Sequence, residues 1–233
     1  MRHTHPGPVR AAHLRVVSMV ALLSFAILAV FVVPFSIAPT SVPAKMTQDV
    51  LLSLVLLTGV VAVSDHRAQM VPIAIVAGVA IVIRWAAWLL PPDMTTGLRD
   101  ETAIVSLGLL SVLIGIKVFG AGTVTFDRIL GAITLYILIG VVWSEAYQLI
   151  GIYEYGAFAG IPPGDLPADR STWIYFSFVT LTTVGYGDIT PVAHAARALA
   201  ILEALIGQLY PAIVLARLVS LYVAVDRSGK NQE

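Results

Sequence analysis

Thr180-Leu181-Thr182-Thr183-Val184-Gly185-Tyr186-Gly187-Asp188-Ile189-Thr190-Pro191 lies between an apolar segment too short to cross a bilayer and a long apolar segment that can. Its centre alternates glycine with larger residues, after two threonines. Glycine adopts φ > 0 without steric penalty. Gly185 and Gly187, spaced by two, therefore let consecutive backbone carbonyls turn toward one axis. Carbonyls arrayed in this way supply oxygens in place of a cation's water shell. The Thr183 hydroxyl adds a further oxygen at one end. A bare Gly-Tyr-Gly turn in a loop is the bland alternative. The Thr-Thr-Val before it, the Asp-x-x-Pro after it and the apolar segments on both sides argue against that alternative.

Composition sets the class. Of 233 residues, 58% are hydrophobic and 12% charged, against roughly 45–50% and about 25% in soluble domains. The mean hydropathy of +0.89 agrees with an integral membrane protein. A net charge of zero offers nothing for nucleic acid. The absence of cysteine excludes disulfides, thiolate metal sites and cysteine catalysis. No phosphate loop, His-Glu-x-x-His helix or nucleophile elbow occurs, so no enzyme site is expected. Of the histidines, His3, His5 and His13 crowd the N-terminus, as in a solvated tail, while His66 and His194 stand alone.

Residues 1–15 are polar and basic, and an apolar run over 16–33, expected to break near Pro34, suits a first membrane span. Val42-Pro43-Ala44 resembles a signal-cleavage site, but the run exceeds the ~7–15 residues of a signal peptide, favouring a retained helix. Further spans are expected over 47–64, over 70–90 with Arg84 inside, over 102–119, and over 126–150. Residues 65–69 form a polar link. Pro91-Pro92-Asp93 is expected to end the third span, since proline cannot continue a helix, and a polar link to follow as far as Glu101. Gly120-Ala121-Gly122 reads as a flexible joint. Residues 151–170, with four glycines and three prolines, read as an exposed loop. Glu154, Asp165 and Asp169 outnumber Arg170 there, which either concentrates cations or merely solvates the loop. Asp169 or Ser171 can cap a helix over 172–182. That helix spans roughly 16 Å, half a bilayer, so it is re-entrant and buried in protein. Its C-terminal end carries partial negative charge, which favours a cation. A last span covers 195–225. With the N-terminus inside, nine Lys and Arg lie on the cytoplasmic side and four on the outer side, which follows the positive-inside rule and puts the Gly-Tyr-Gly loop on the outer face.

Thr183-Val184-Gly185-Tyr186-Gly187 resembles the selectivity filter of the potassium channel family, and the likeness extends over about residues 125–225, as outer helix, pore loop and inner helix. The resemblance implies that K+ is the permeant ion, held by Thr183, Val184, Gly185, Tyr186 and Gly187, with Thr182, Asp188, Tyr175 and Glu145 in support. Tyr175-Phe176 stands where many members carry two tryptophans. Phe176 has no donor for Asp188, and Tyr175 is the available substitute. Val179 matches the voltage-gated type of pore helix. Glu145, in Trp143-Ser-Glu-Ala146, resembles the outer-helix glutamate that braces the segment after the filter. The alternative is a glutamate snorkelling to the interface. Glu203 either faces the pore helix or pairs with a threonine or arginine. Gly207 follows Asp188 by nineteen residues, the family's spacing for a gating-hinge glycine. Pro211 lacks the N–H that would bond the Gly207 carbonyl, though it is not at the family's usual proline position. A hinge at Gly207–Pro211 is expected, a fixed kink being the alternative.

The expectation is an all-α integral membrane protein with six transmembrane helices per chain, a re-entrant pore helix and filter loop, and a tetrameric pore. Residues 1–15 are a cytoplasmic tail, 16–122 a four-helix membrane region, 123–225 the pore domain and 226–233 a second cytoplasmic tail. The plan imitates voltage-gated channels, but the fourth span offers only Lys117 where a sensor needs an arginine every third residue. The function expected is passive, potassium-selective conduction, weakly dependent on voltage, by a homotetramer in lipid, in a bacterial inner membrane. No enzyme activity, cofactor, nucleic acid partner or cytosolic ligand-binding domain is expected. The rivals are a subunit of a potassium uptake transporter, which would carry several pore loops in one chain where here there is one, and a non-conducting accessory subunit.

Overall fold

The structure is a computed structural model that describes residues 8–36, 42–63, 67–89, 92–120, 125–161 and 169–230. The start of the N-terminal tail, Ala121-Gly122 of the expected joint, Asp165 of the loop and the last three residues lie outside them. The order is α1 (Pro8–Ile27), a π turn (Leu28–Val32), α2 (Val33–Ser36), α3 (Val42–Val63), α4 (Arg67–Ala86), α5 (Pro92–Phe119), α6 (Phe126–Tyr153), β1 (Phe158–Ala159), α7 (Arg170–Leu181), β2 (Thr190–Pro191) and α8 (His194–Lys230). Five helices among the described residues are long and apolar enough to cross a membrane: Val16–Phe35, Val42–Val63, Glu101–Phe119, Phe126–Tyr153 and His194–Arg217. α4 contributes the shorter apolar run Ala74–Ala86.

Two prolines act differently from the sequence expectation. Pro34 does not end the first span. The helix widens ahead of it, and the Val33 N–H reaches back five residues to the Leu28 carbonyl. That skips the Ala29 carbonyl, which instead accepts from Gln48 Nε2 at 3.1 Å. The π turn thus removes the clash a proline causes, and a neighbouring side chain satisfies the oxygen left over. α4 does end ahead of the prolines, at Ala86, but Pro92 also opens α5, since at the first helical position its missing N–H has no partner to lose. The stretch up to Glu101, expected as a link, is therefore helical.

α1 packs on α3 and α6, α5 packs on α6, and α7 sits between α6 and α8. One core runs through Met19, Leu22, Val55, Leu107, Ile114, Leu138 and Ile174. A second, around Tyr147, Phe158, Trp173 and Phe176, packs against Ile189 and Ala193. The outward faces are apolar too, with Leu57, Val82, Val105 and Ile116 each more than half exposed, as a lipid-facing surface requires.

α3 and α4 are joined by a buried ion pair. Arg84 Nη1 lies 2.8 Å from Asp49 Oδ1, and Trp88 Nε1 donates to Asp49 Oδ2 at 2.8 Å. Removing one member of a buried pair strands the other in low dielectric, whereas replacing both with apolar residues is close to neutral. Asp49→Ala is expected to lower stability by about 3–5 kcal/mol, read as thermal unfolding of the purified protein. Asp49→Leu with Arg84→Met should recover most of that loss. A double variant no more stable than Asp49→Ala would show that the pair does not hold α3 to α4.

Candidate functional site

The site is built on α7. Asp169 caps it, accepting from the Thr172 N–H at 3.0 Å and from the Ser171 hydroxyl at 2.5 Å. The helix buries Trp173, Ile174, Phe176 and Ser177 on one side. Phe178 and Trp173 lie over Gly140 and Gly151 of α6, where a Cβ would come within 2.7 and 2.6 Å of the rings. Phe31, beside the π turn, meets Phe178 edge to face at 5.1 Å. At the C-terminal end the Thr182 hydroxyl donates to the Phe178 carbonyl at 2.6 Å. The amides of Val184 and Gly185 then both turn back onto the Val179 carbonyl.

Beyond Thr182 the chain follows a strict alternation. Thr183, Gly185 and Gly187 have φ of 58°, 58° and 79°. Thr183 is the one non-glycine residue with positive φ among the described residues. Residues 182–188 are all exposed in the single chain.

The far end of this loop is held from two sides. The Tyr175 hydroxyl donates to Asp188 Oδ2 at 2.6 Å, and the Tyr175 ring stacks on Tyr186 at 6.4 Å. The Tyr175 hydrogen bond holds the Asp188 carboxyl below its ordinary range. From the other side, β1 pairs antiparallel with β2, Phe158 opposite Pro191 and Ala159 opposite Thr190. The Val192 N–H adds a bond to the Ala157 carbonyl at 2.8 Å. Gly160, at φ 91°, lies so near Asp188 that a Cβ would meet its carbonyl oxygen at 1.8 Å. Part of the stretch expected as a free loop therefore clamps residues 188–192.

Two buried carboxylates flank α7. Glu145, 1% exposed, pairs with Arg170 at the helix start. The contact seen is thus with the N-terminal turn of α7, in place of the expected brace to the segment after the filter. The positive end of the α7 dipole favours a carboxylate there. Glu203, fully buried on α8, faces α7. Tyr147 donates to its Oε2 at 2.6 Å, and Ser177 Oγ lies 2.5 Å from its Oε1. Ser177 Oγ is also 2.7 Å from the Gly140 carbonyl. Tyr147 and Ser177 bring two protons to three contacts, so a protonated Glu203 carboxyl satisfies all three.

α8 touches the base of the loop directly. At Gly207 a Cβ would stand 1.8 Å from the Leu181 carbonyl oxygen. Glycine is therefore needed there for close approach, whatever it contributes to bending. The next residue, Gln208, places Nε2 2.7 Å from Thr183 Oγ1. Sequence reasoning missed Gln208, and the available signal was a lone amide beside Gly207 in an apolar helix. Pro211 lies inside the unbroken α8.

Tyr175→Phe removes the donor to Asp188 and keeps the ring. A depressed carboxyl favours the folded arrangement above its unfolded pKa, and that contribution is lost as pH falls through the folded value. In Tyr175→Phe the folded value should rise, so acid should disrupt this loop at higher pH than in the parent protein. The readout is ion current against external pH. Superimposable profiles would show that this bond does not hold the loop.

Residues 133–224 match the family described as ion channel. Protein LctB of Bacillus caldotenax is 29% identical over 121 residues, which is 50% of this chain and 89% of that protein. Two pore potassium channel c of Oryza sativa subsp. japonica is 40% identical over 80 residues, 32% of this chain and 17% of the channel. Protein LctB of Geobacillus stearothermophilus is 50% identical over 46 residues, 20% of this chain and 34% of that protein. The family match includes the segment built around α7, and the chain, a multi-pass membrane protein, is similar there to ion channels.

Proposed function

We propose that the protein is a potassium-selective channel that conducts K+ passively through Thr183, Val184, Gly185, Tyr186 and Gly187. The observation that carries this reading is the positive φ at every second residue from Thr183 to Gly187. One chain presents one line of oxygens, and a cation needs oxygens all round it, so four chains assemble about a common axis. The apolar window His194–Arg217 of α8 is only 11% buried within its own chain, against 61% for Val42–Val63. A helix that lines a pore and meets neighbouring subunits would be so exposed. Tyr175, Thr182 and Asp188 support the filter, and Glu145 acts through Arg170.

α4 completes six spans, with both termini on the cytoplasmic side of the cell membrane. The first four spans, residues 16–122, brace the pore and do not sense voltage. Arg84 is paired with Asp49, and Lys117 Nζ is anchored to the Ala62 carbonyl at 2.5 Å. A charge crossing the whole field gains ~2.3 kcal/mol per 100 mV, and neither residue is placed to cross much of it. The brace reaches α8 through Arg217, which donates to the carbonyls of Phe119 and Gly120 at 2.8 and 2.5 Å. Between Gly207 and Arg217 lies Pro211, beside an apolar cavity of about 410 Å³ lined by Ile133, Tyr136 and Val214. That space lets the lower half of α8 swing at the proline.

Three outcomes are expected. In liposomes, the protein should release K+ much faster than Na+, and Gly187→Ala should abolish the preference. Unchanged preference in that variant sinks the filter assignment. The conductance–voltage relation should be shallow, and a slope equivalent to several charges per subunit contradicts the bracing role. Pro211→Ala restores the missing helical bond and leaves the Gly207 contact alone, so open probability should change severalfold at constant selectivity. Gating identical to the parent protein places the gate elsewhere.

A further inference from the structure

We infer that Gln208 is a positioning residue for the innermost ion site, a role that rests on reading residues 183–187 as the filter. Gln208 is a polar side chain on an apolar stretch of α8, near exposed Ile201, Leu205 and Leu209. An amide at that depth is costly without a partner. Its partner is the Thr183 hydroxyl at 2.7 Å. The reach exists because Gly207, one residue earlier, lets α8 come against the Leu181 carbonyl.

The chemistry follows from counting protons and lone pairs. A threonine hydroxyl has one proton and two lone pairs. To coordinate a dehydrated cation, Oγ1 must aim its lone pairs at the ion and its proton away. The glutamine amide carries a donor and an acceptor on one nearly symmetric end. In the structure Nε2–H donates to Thr183 Oγ1. When an ion sits there, a half-turn of the amide brings Oε1 to the same place, where it accepts the hydroxyl proton and frees both lone pairs. An apolar side chain can do neither. Gln208 also ties the filter base to the helix turn containing Gly207, so bending of α8 would release the hydroxyl and weaken the site.

The probe is internal Ba2+, a divalent ion close to K+ in size, which enters from the cytoplasmic side and meets Thr183 first. In purified protein in bilayers, Gln208→Met should weaken Ba2+ block by about tenfold, the worth of one well-placed hydrogen bond. In a Thr183→Val background the same substitution should change block by less than about twofold, because the two act as one unit. Block in Gln208→Met equal to the parent overturns the inference, as does an equal loss in both backgrounds. If Thr183→Val passes no current, the same four proteins are compared by K+-dependent thermal stabilisation, which reports ion affinity directly. Non-additive effects there support the inference and additive effects overturn it. A parent protein insensitive to internal Ba2+ and not stabilised by K+ removes the filter reading and this inference with it, whereas a blocked parent with an unchanged Gln208→Met removes only the role of Gln208.

Discussion

An ion stripped of water must meet a matching set of oxygens that are already in place. Backbone carbonyls on successive residues point to one side only if alternate residues leave the common regions of φ,ψ space. Two of the three such positions here are glycines, for which this is nearly free. The third is Thr183, at φ 58°, and a non-glycine residue held there stores on the order of 1–3 kcal/mol of strain. The surroundings have to hold that conformation. The Val184 and Gly185 amides are bonded back to Val179, Gln208 meets the Thr183 side chain, and Tyr175 holds Asp188 at the other end.

The rest of the fold serves this demand in layers. α7 must sit at a fixed depth and angle, so its aromatic residues seat on glycines of α6 and its polar face seats on Glu203 and Tyr147. Its start is held by the Asp169 cap and by the Glu145–Arg170 pair. The segment after residue 187 is fixed by main-chain pairing between β1 and β2, which does not depend on side-chain identity. α1 and α3 back this assembly, and α5 reaches α8 through Arg217. A segment similar to ion channels is thus embedded in a helical frame that fixes the 183–187 loop and α8 together.

Much of this was legible in the chain itself. Gly185 and Gly187 marked the positive-φ positions, and Asp169 marked the start of a helix too short to span. Apolar runs placed five of the long helices within a few residues, although α6 and α8 extend beyond their expected ends. Local rules failed where a residue's partner is remote. Glu145 finds Arg170 25 positions away, and Gln208 finds Thr183 at the same separation, distances over which periodicity carries no information. Pro34 and Pro92 were misread for a different reason. A proline stops a helix only if the missing bond cannot be absorbed, and a π turn and a helix start each absorb it. Gly207 shows a further limit, because its spacing suggested a place to bend while its contact with Leu181 shows a place that must stay small.

The central claim is that the alternating backbone of Thr183 to Gly187 selects K+. The most direct measurement is the reversal potential of the purified protein in a planar bilayer with K+ on one side and an equal concentration of Na+ on the other. Each tenfold preference moves that potential by about 59 mV. The account predicts a shift of well over 59 mV in the direction of K+ flow. A reversal potential near zero would contradict it, showing a pore that passes both ions alike.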